Sequence, residues 1–159
     1  MKNVTTYVGI DAHKKDLFIA MLVGTQTTPV GWTVPNEPSA VRRLVRKLER
    51  EAPGPIVACY EAGPCGYALQ RQMTTPRVTC QVIAPALIPR KPGERIKTNP
   101  RDARKLAELL RAGLLTEVRP PTPEDEAVRD LCRARDDARE DLQRCRHRLS
   151  KLLLRRGLH

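Results

Sequence analysis

Aromatic residues are scarce. Phe18, Trp32, Tyr7, Tyr60 and Tyr67 make up 3% of the 159 residues. Stacking of single-stranded bases needs several aromatics on one surface, so an RRM-like or OB-like reader is disfavoured. The five cysteines, Cys59, Cys65, Cys80, Cys132 and Cys145, are odd in number and form no CxxC pair. Neither a zinc ribbon nor a disulfide framework fits them, and they read as reduced thiols of a cytoplasmic protein. Long apolar runs are missing too. Leu17–Val23 is far short of a membrane span, and it follows Lys14-Lys15-Asp16, which is no signal-peptide context. There is no GxxxxGK(S/T) and no GxGxxG, so no phosphate-cradling glycine loop is signalled. No internal repeat is visible. Acids are in deficit: Lys+Arg is 29 and Asp+Glu 18, for a net charge of +11. With 40% hydrophobic and 30% charged residues, the chain suits one folded core rather than a disordered tail. The basic excess favours a polyanionic partner, nucleic acid first.

Strand patterns cover Thr5–Ile10, Leu17–Val23 and Val30–Val34, with short turns between them, and suggest an antiparallel meander. Ser39 reads as the N-cap of a helix whose inner stripe is Val41, Leu44, Val45 and Leu48. Ile56–Tyr60 is a fourth strand, Cys65–Met73 a helix and Val78–Ala84 a fifth strand. Pro85–Thr98 is a basic, proline-rich loop. Arg101–Ala112 is a helix with Ala103, Leu106, Ala107 and Leu110 inward, stopped by Gly113. Pro120, Pro121 and Pro123 mark a linker. Glu124–Leu154 is one long helix whose apolar positions step by 4, 3, 4, 4, 3, 4 and 3, as in a coiled coil. The order β-β-β-α-β-α-β-α predicts an α/β fold, a mixed five-stranded sheet with helices on its faces.

Three acids fall where elements meet a common sheet edge. Asp11 closes the first strand, Glu61 closes the fourth, and Asp102 lies in the first turn of the helix after the fifth. Adjacent carboxylates repel unless a proton or cation intervenes. Mg²⁺ favours such oxygens, and two ions can align the attacking and leaving oxygens at phosphorus. Plain structural roles compete. Asp11 with His13 reads as a polar turn, and Glu61 before Ala62-Gly63-Pro64 as a surface turn. Asn99 and Asp102 match an N-cap and N3 pair, with Pro100 at the favoured first position. His13, a lone histidine, reads as structural or solvated rather than catalytic.

The segments Tyr7-Val8-Gly9-Ile10-Asp11-Ala12-His13-Lys14, Tyr60-Glu61-Ala62-Gly63-Pro64 and Lys97–Ala107 together resemble the DEDD transposases of the insertion sequence 110 family, as does Leu109–Leu115. The resemblance runs through nearly the whole chain. It implies an RNase H-like (RuvC-like) domain over 4–116, a linker over 117–123 and a coiled-coil helix over 124–159. It implies a DNA recombinase that mobilises an insertion element, with Mg²⁺ (or Mn²⁺ in its place) on Asp11, Glu61 and Asp102. The third acid of the family pattern falls on Asn99, whose amide oxygen can ligate but adds no charge. The family also implies a structured guide RNA, assembly into dimers or tetramers through the 124–155 helix, and a serine-bearing second domain that lies outside these residues. Lys14, Lys15, Arg90, Lys91, Arg95, Lys97, Arg101, Arg104 and Lys105 surround the acids and suit flanking phosphates. Two other functions stand beside this one: a Holliday-junction-type nuclease on the same fold, and a truncated, non-catalytic module that binds nucleic acid and self-associates. An actin-like or sugar-kinase ATPase needs a second lobe that 159 residues cannot supply.

Overall fold

A computed structural model describes residues 4–89 and 99–158. The chain divides into two compact units, one ending at Arg119 and the other beginning at Pro120. The first unit runs β1 (Thr6–Ala12), β2 (Asp16–Val23), β3 (Val30–Pro35), α1 (Pro38–Glu51), β4 (Ile56–Glu61), α2 (Ala68–Met73), β5 (Val78–Ile83), α3 (Asn99–Arg111) and β6 (Glu117–Val118). The sheet order is β3-β2-β1-β4-β5-β6. β1, β2 and β3 pair antiparallel as a meander, β1-β4-β5 are parallel, and β6 returns antiparallel to β5. This is the mixed α/β sheet of an RNase H-like domain.

Period-two alternation sorts the central strands into two faces. Val8 and Ile10 of β1, Leu17, Ile19 and Met21 of β2, and Ala58 and Tyr60 of β4 point into one core. There they meet Val41, Leu44, Val45 and Leu48 of α1 and Leu69 and Met73 of α2. The opposite face carries Ala20 and Leu22 against Ala103 and Ala107 of α3, and Cys59 and Ile83 against Leu106 and Leu110. Each of the larger aliphatic side chains so buried contributes about 1.5–3 kcal/mol. Both expected helix stripes are the buried ones. Arg77, just before β5, ties the end of α1 to the sheet: its guanidinium donates to the carbonyls of Glu49 at 2.8 Å and Ala52 at 3.2 Å. Cations suit the carbonyl end of a helix.

The structure departs from the sequence expectation at several places. The sheet has six strands, not five. Glu117 and Val118, read as the start of the linker, pair with Ile83 and Val82. β1 continues through Asp11 to Ala12, so Asp11 sits inside the strand. α2 begins only at Ala68, because Gly66 takes a left-handed φ of 58° and its carbonyl accepts a 2.8 Å bond from the Tyr60 hydroxyl. Ser39 does not cap α1: Pro38 opens the helix and Glu37 is its cap residue, without a side-chain bond.

The second unit is α4 (Pro123–Arg155). Thr122 caps it, its hydroxyl accepting from the Asp125 amide at 3.1 Å. Glu124, Asp125 and Glu126 add negative charge at the positive end of the helix dipole. Among the described residues no helix is long and apolar enough to cross a membrane.

Candidate functional site

The parallel ladder of β1 and β4 pairs Gly9 with Cys59 and Ile10 with Tyr60. Ile10 and Tyr60 point into the α1 core, and Cys59 packs under Leu106 of α3. One residue further on, alternation puts Asp11 and Glu61 on the α3 face, at the C-terminal ends of neighbouring strands. α3 crosses β1 directly above Gly9: a Cβ there would meet the Ala107 amide nitrogen at 2.5 Å and the Ala103 carbonyl closer still. Asp102, in the first turn of α3, therefore lies towards the same end of β1. Asp11 and Glu61 thus share one face at neighbouring strand ends, and Asp102 lies in the first turn of the helix that crosses that face. Among the described residues, however, no three His, Cys, Asp or Glu side chains converge as a metal-holding group. Asn99 lies within the first turn of α3 rather than ahead of it, which corrects its reading as the N-cap.

The structure gives His13 a role the sequence did not assign. Its Nε2 lies 2.9 Å from Asp11 Oδ2, on a carboxylate that is only 21% exposed. The ring meets Phe18 edge-on at 5.8 Å, and Phe18 is the cross-strand neighbour of Asp11. The turn that carries His13 is held three times, once by the Asn36 backbone amide donating to the Lys15 carbonyl at 2.8 Å. The His13 amide donates to the Asp16 carbonyl at 2.9 Å, and Asn36 Nδ2 donates to the His13 carbonyl at 2.7 Å. Aspartate and histidine two apart on a strand end was the only sequence signal for this pair; Asn36, 23 residues away, left none. A cavity of about 530 Å³ opens behind the turn, lined by Ala12, His13, Asn36, Cys65 and Leu69 among others.

Lys14 and Lys15 are exposed in the β1–β2 turn beside Asp11. Arg101 and Arg104 are exposed on α3 and Lys105 is half-buried. Arg104 also lines a 230 Å³ hollow with Phe18, Trp32 and Pro100. Arg90, Lys91, Arg95 and Lys97 lie outside the described residues. Cys59 and Cys80 offer no nucleophile at this edge. Burial, with Cys80 and Glu61 nearby, pushes the Cys59 thiol far up, and burial followed by Glu117 pushes Cys80 up to about 12. Both stay protonated and inert.

Carboxylates at the ends of adjacent parallel strands, with a third acid on the crossing helix, are the arrangement of an RNase H-like nuclease or recombinase. The Transposase family of the DEDD, insertion sequence 110 type matches residues 8–156, and the chain belongs to that family. It is 42% identical over 153 residues to the protein named "Putative transposase y4qE" of Sinorhizobium fredii, covering 95% of this chain and 39% of that protein. It is 40% identical over 154 residues to the "Transposase for insertion sequence element IS1533" of Leptospira borgpetersenii, covering 96% of this chain and 44% of that protein. The chain thus spans well under half the length of these relatives.

Proposed function

We propose that the chain supplies the carboxylate-bearing, nucleic-acid-handling part of a transposase that cuts and exchanges DNA strands at an insertion element. The observation that carries this is the placement of Asp11 and Glu61 on one face at neighbouring strand ends, with Asp102 at the start of the helix that crosses that face. Residues 4–119 form the RuvC-like domain, with β6 inside its sheet, 120–122 the linker, and the helix from Pro123 the element through which copies assemble.

Carboxylate oxygens suit a hard cation. Asp11, Glu61 and Asp102 would hold Mg²⁺, or Mn²⁺ in its place, with Asn99 contributing an amide oxygen; the ion would offset charge at the reacting phosphodiester. His13 orients the Asp11 carboxylate through their hydrogen bond. Lys14, Lys15, Arg101, Arg104 and Lys105, with Arg90, Lys91, Arg95 and Lys97, bind flanking phosphates of DNA and of a structured guide RNA, in the cytoplasm.

Calorimetric Mn²⁺ titration of the chain tests this reading, beside Asp11→Ala and Asp102→Asn. Binding by the parent that is lost in both variants supports it. Binding that Asp11→Ala retains refutes the site. A folded parent that binds no Mn²⁺ yet retains DNA favours the second reading, a non-catalytic nucleic-acid-binding and assembly module, which the lack of a converged trio among the described residues also favours.

A further inference from the structure

No described residue of α4 is buried, and its apolar stripe is open: Leu131 is 72%, Leu142 51% and Leu149 56% exposed. Within the stripe, Ala127, Leu131, Ala134, Ala138, Leu142, Cys145 and Leu149 step by 4, 3, 4, 4, 3 and 4, and Leu152 extends it at the C-terminal end only. Those steps read the same in both directions from Ala138. An antiparallel two-fold pair uses this property, because each apolar residue i then meets an apolar j wherever j meets i. The charge is also two-sided. Residues 124–137 carry six acids against three arginines, whereas 142–156 carry six basic residues and no acid.

We propose that α4 pairs with α4 of a second copy of this chain in antiparallel orientation, the two-fold axis passing through Ala138. This rests on the reading of α4 as an assembly helix and adds its partner, direction and register. Ala127 then meets Leu149 of the second copy, Ala134 meets Leu142, and Leu131 meets Cys145, so three layers each set a small side chain against a leucine. Ala138 meets itself. The two four-residue steps that flank it depart from a strict heptad, and they fall symmetrically on the axis. An in-register parallel pair would instead stack alanine on alanine at three layers and leucine on leucine at three others, leaving the separation of the helices uneven. It would also set the acidic end on the acidic end and the basic end on the basic end. The antiparallel pair lays each acidic end along a basic one and brings Asp130 beside Arg148 of the second copy. Opposed charge of this kind sets orientation more than affinity.

The native thiols report the direction. In the antiparallel pair the two Cys145 residues are 14 positions apart along the helices, about 21 Å at 1.5 Å per residue, beyond the roughly 7 Å Cα reach of a disulfide. The full chain is prepared with Cys132→Ser, alone and with Leu131→Cys, then oxidised, sedimented and mapped by mass spectrometry. The expected result is twice the chain mass in both. A disulfide should join the thiol introduced at position 131 to Cys145 of the other copy, and no Cys145–Cys145 link should form. A Cys145–Cys145 link in the single variant overturns the orientation while self-association stands. A dimer whose introduced thiol fails to reach Cys145 overturns the register. A monomer overturns both the pairing and the assembly reading beneath it.

Discussion

Gly9→Ala is the sharpest test of how the acids are brought to one edge. The added methyl would point from β1 into the backbone of α3, towards the Ala103 carbonyl and 2.5 Å from the Ala107 amide nitrogen, with Leu106 Cβ at 3.0 Å. Ordinary contact needs close to 3.5 Å or more, so α3 must lift by about 1 Å or β1 must bow. Overpacking a core costs about 1–3 kcal/mol. Two of the three obstacles here are backbone atoms that no rotamer can move, which puts the cost at the upper end, about 3 kcal/mol. For a unit of this size that is a fall in Tm of roughly 10 °C. The control is Gly31→Ala on edge strand β3, where the new Cβ would meet only the Ile19 carbonyl at 3.4 Å. Thermal unfolding followed by circular dichroism compares the two with the parent. Gly31→Ala should melt within a few degrees of it. A Gly9→Ala chain that melts with the parent would mean that α3 does not press on β1, and the shared edge of Asp11 and Asp102 would lose its basis.

Asn36→Ala removes the donor to the His13 carbonyl and should lower stability by about 1 kcal/mol in urea unfolding; an unchanged midpoint would deny Asn36 that role. Thr122→Ala removes the α4 cap and should cost about 1 kcal/mol of helix stability, seen as lower helical ellipticity at equal temperature, and equal ellipticity would refute it. The buried thiols set an alkaline limit. Cys80 is raised from 9.0 to about 12, so above pH 9 the unfolded chain releases that proton and the folded chain keeps it. The stability from Cys80 is complete below pH 9 and falls by up to about 1.4 kcal/mol per pH unit until pH 12. In Cys80→Ala the fall between pH 9 and 11 should be shallower; an equal slope would show that Cys80 does not titrate this way.

Much of this architecture was legible because periodicity and burial agree. Val41, Leu44, Val45 and Leu48 recur at helical spacing and are buried, and so do Ala103, Leu106, Ala107 and Leu110. The end of β4 at Glu61 could be read because its apolar run stops there, whereas β1 runs one residue past Asp11. What escaped was set by distant partners or by very short pairing. β6 is two residues long and exists only through its bonds to β5. The late start of α2 depends on the Tyr60 hydroxyl reaching Gly66. The support of His13 by Asn36 spans 23 residues, and no local pattern encodes it. The closeness of α3 to β1 was equally hidden, since a glycine in a strand signals close approach without naming what approaches.

From Thr6 to Ile10 β1 is paired on both sides, with β2 and β4, and those amides have little route to solvent short of opening the whole sheet; Asp11 pairs with Phe18 of β2 alone. Exchange of the Ile10 amide for deuterium therefore reports global unfolding, whereas His13, three residues later in an exposed turn, opens on its own. The backbone of Asp11 thus stands one residue beyond the most fixed stretch of the domain, and the ring beside its carboxylate is as free as one turn. Substitutions that loosen the turn will change how Asp11 is dressed without changing where it stands.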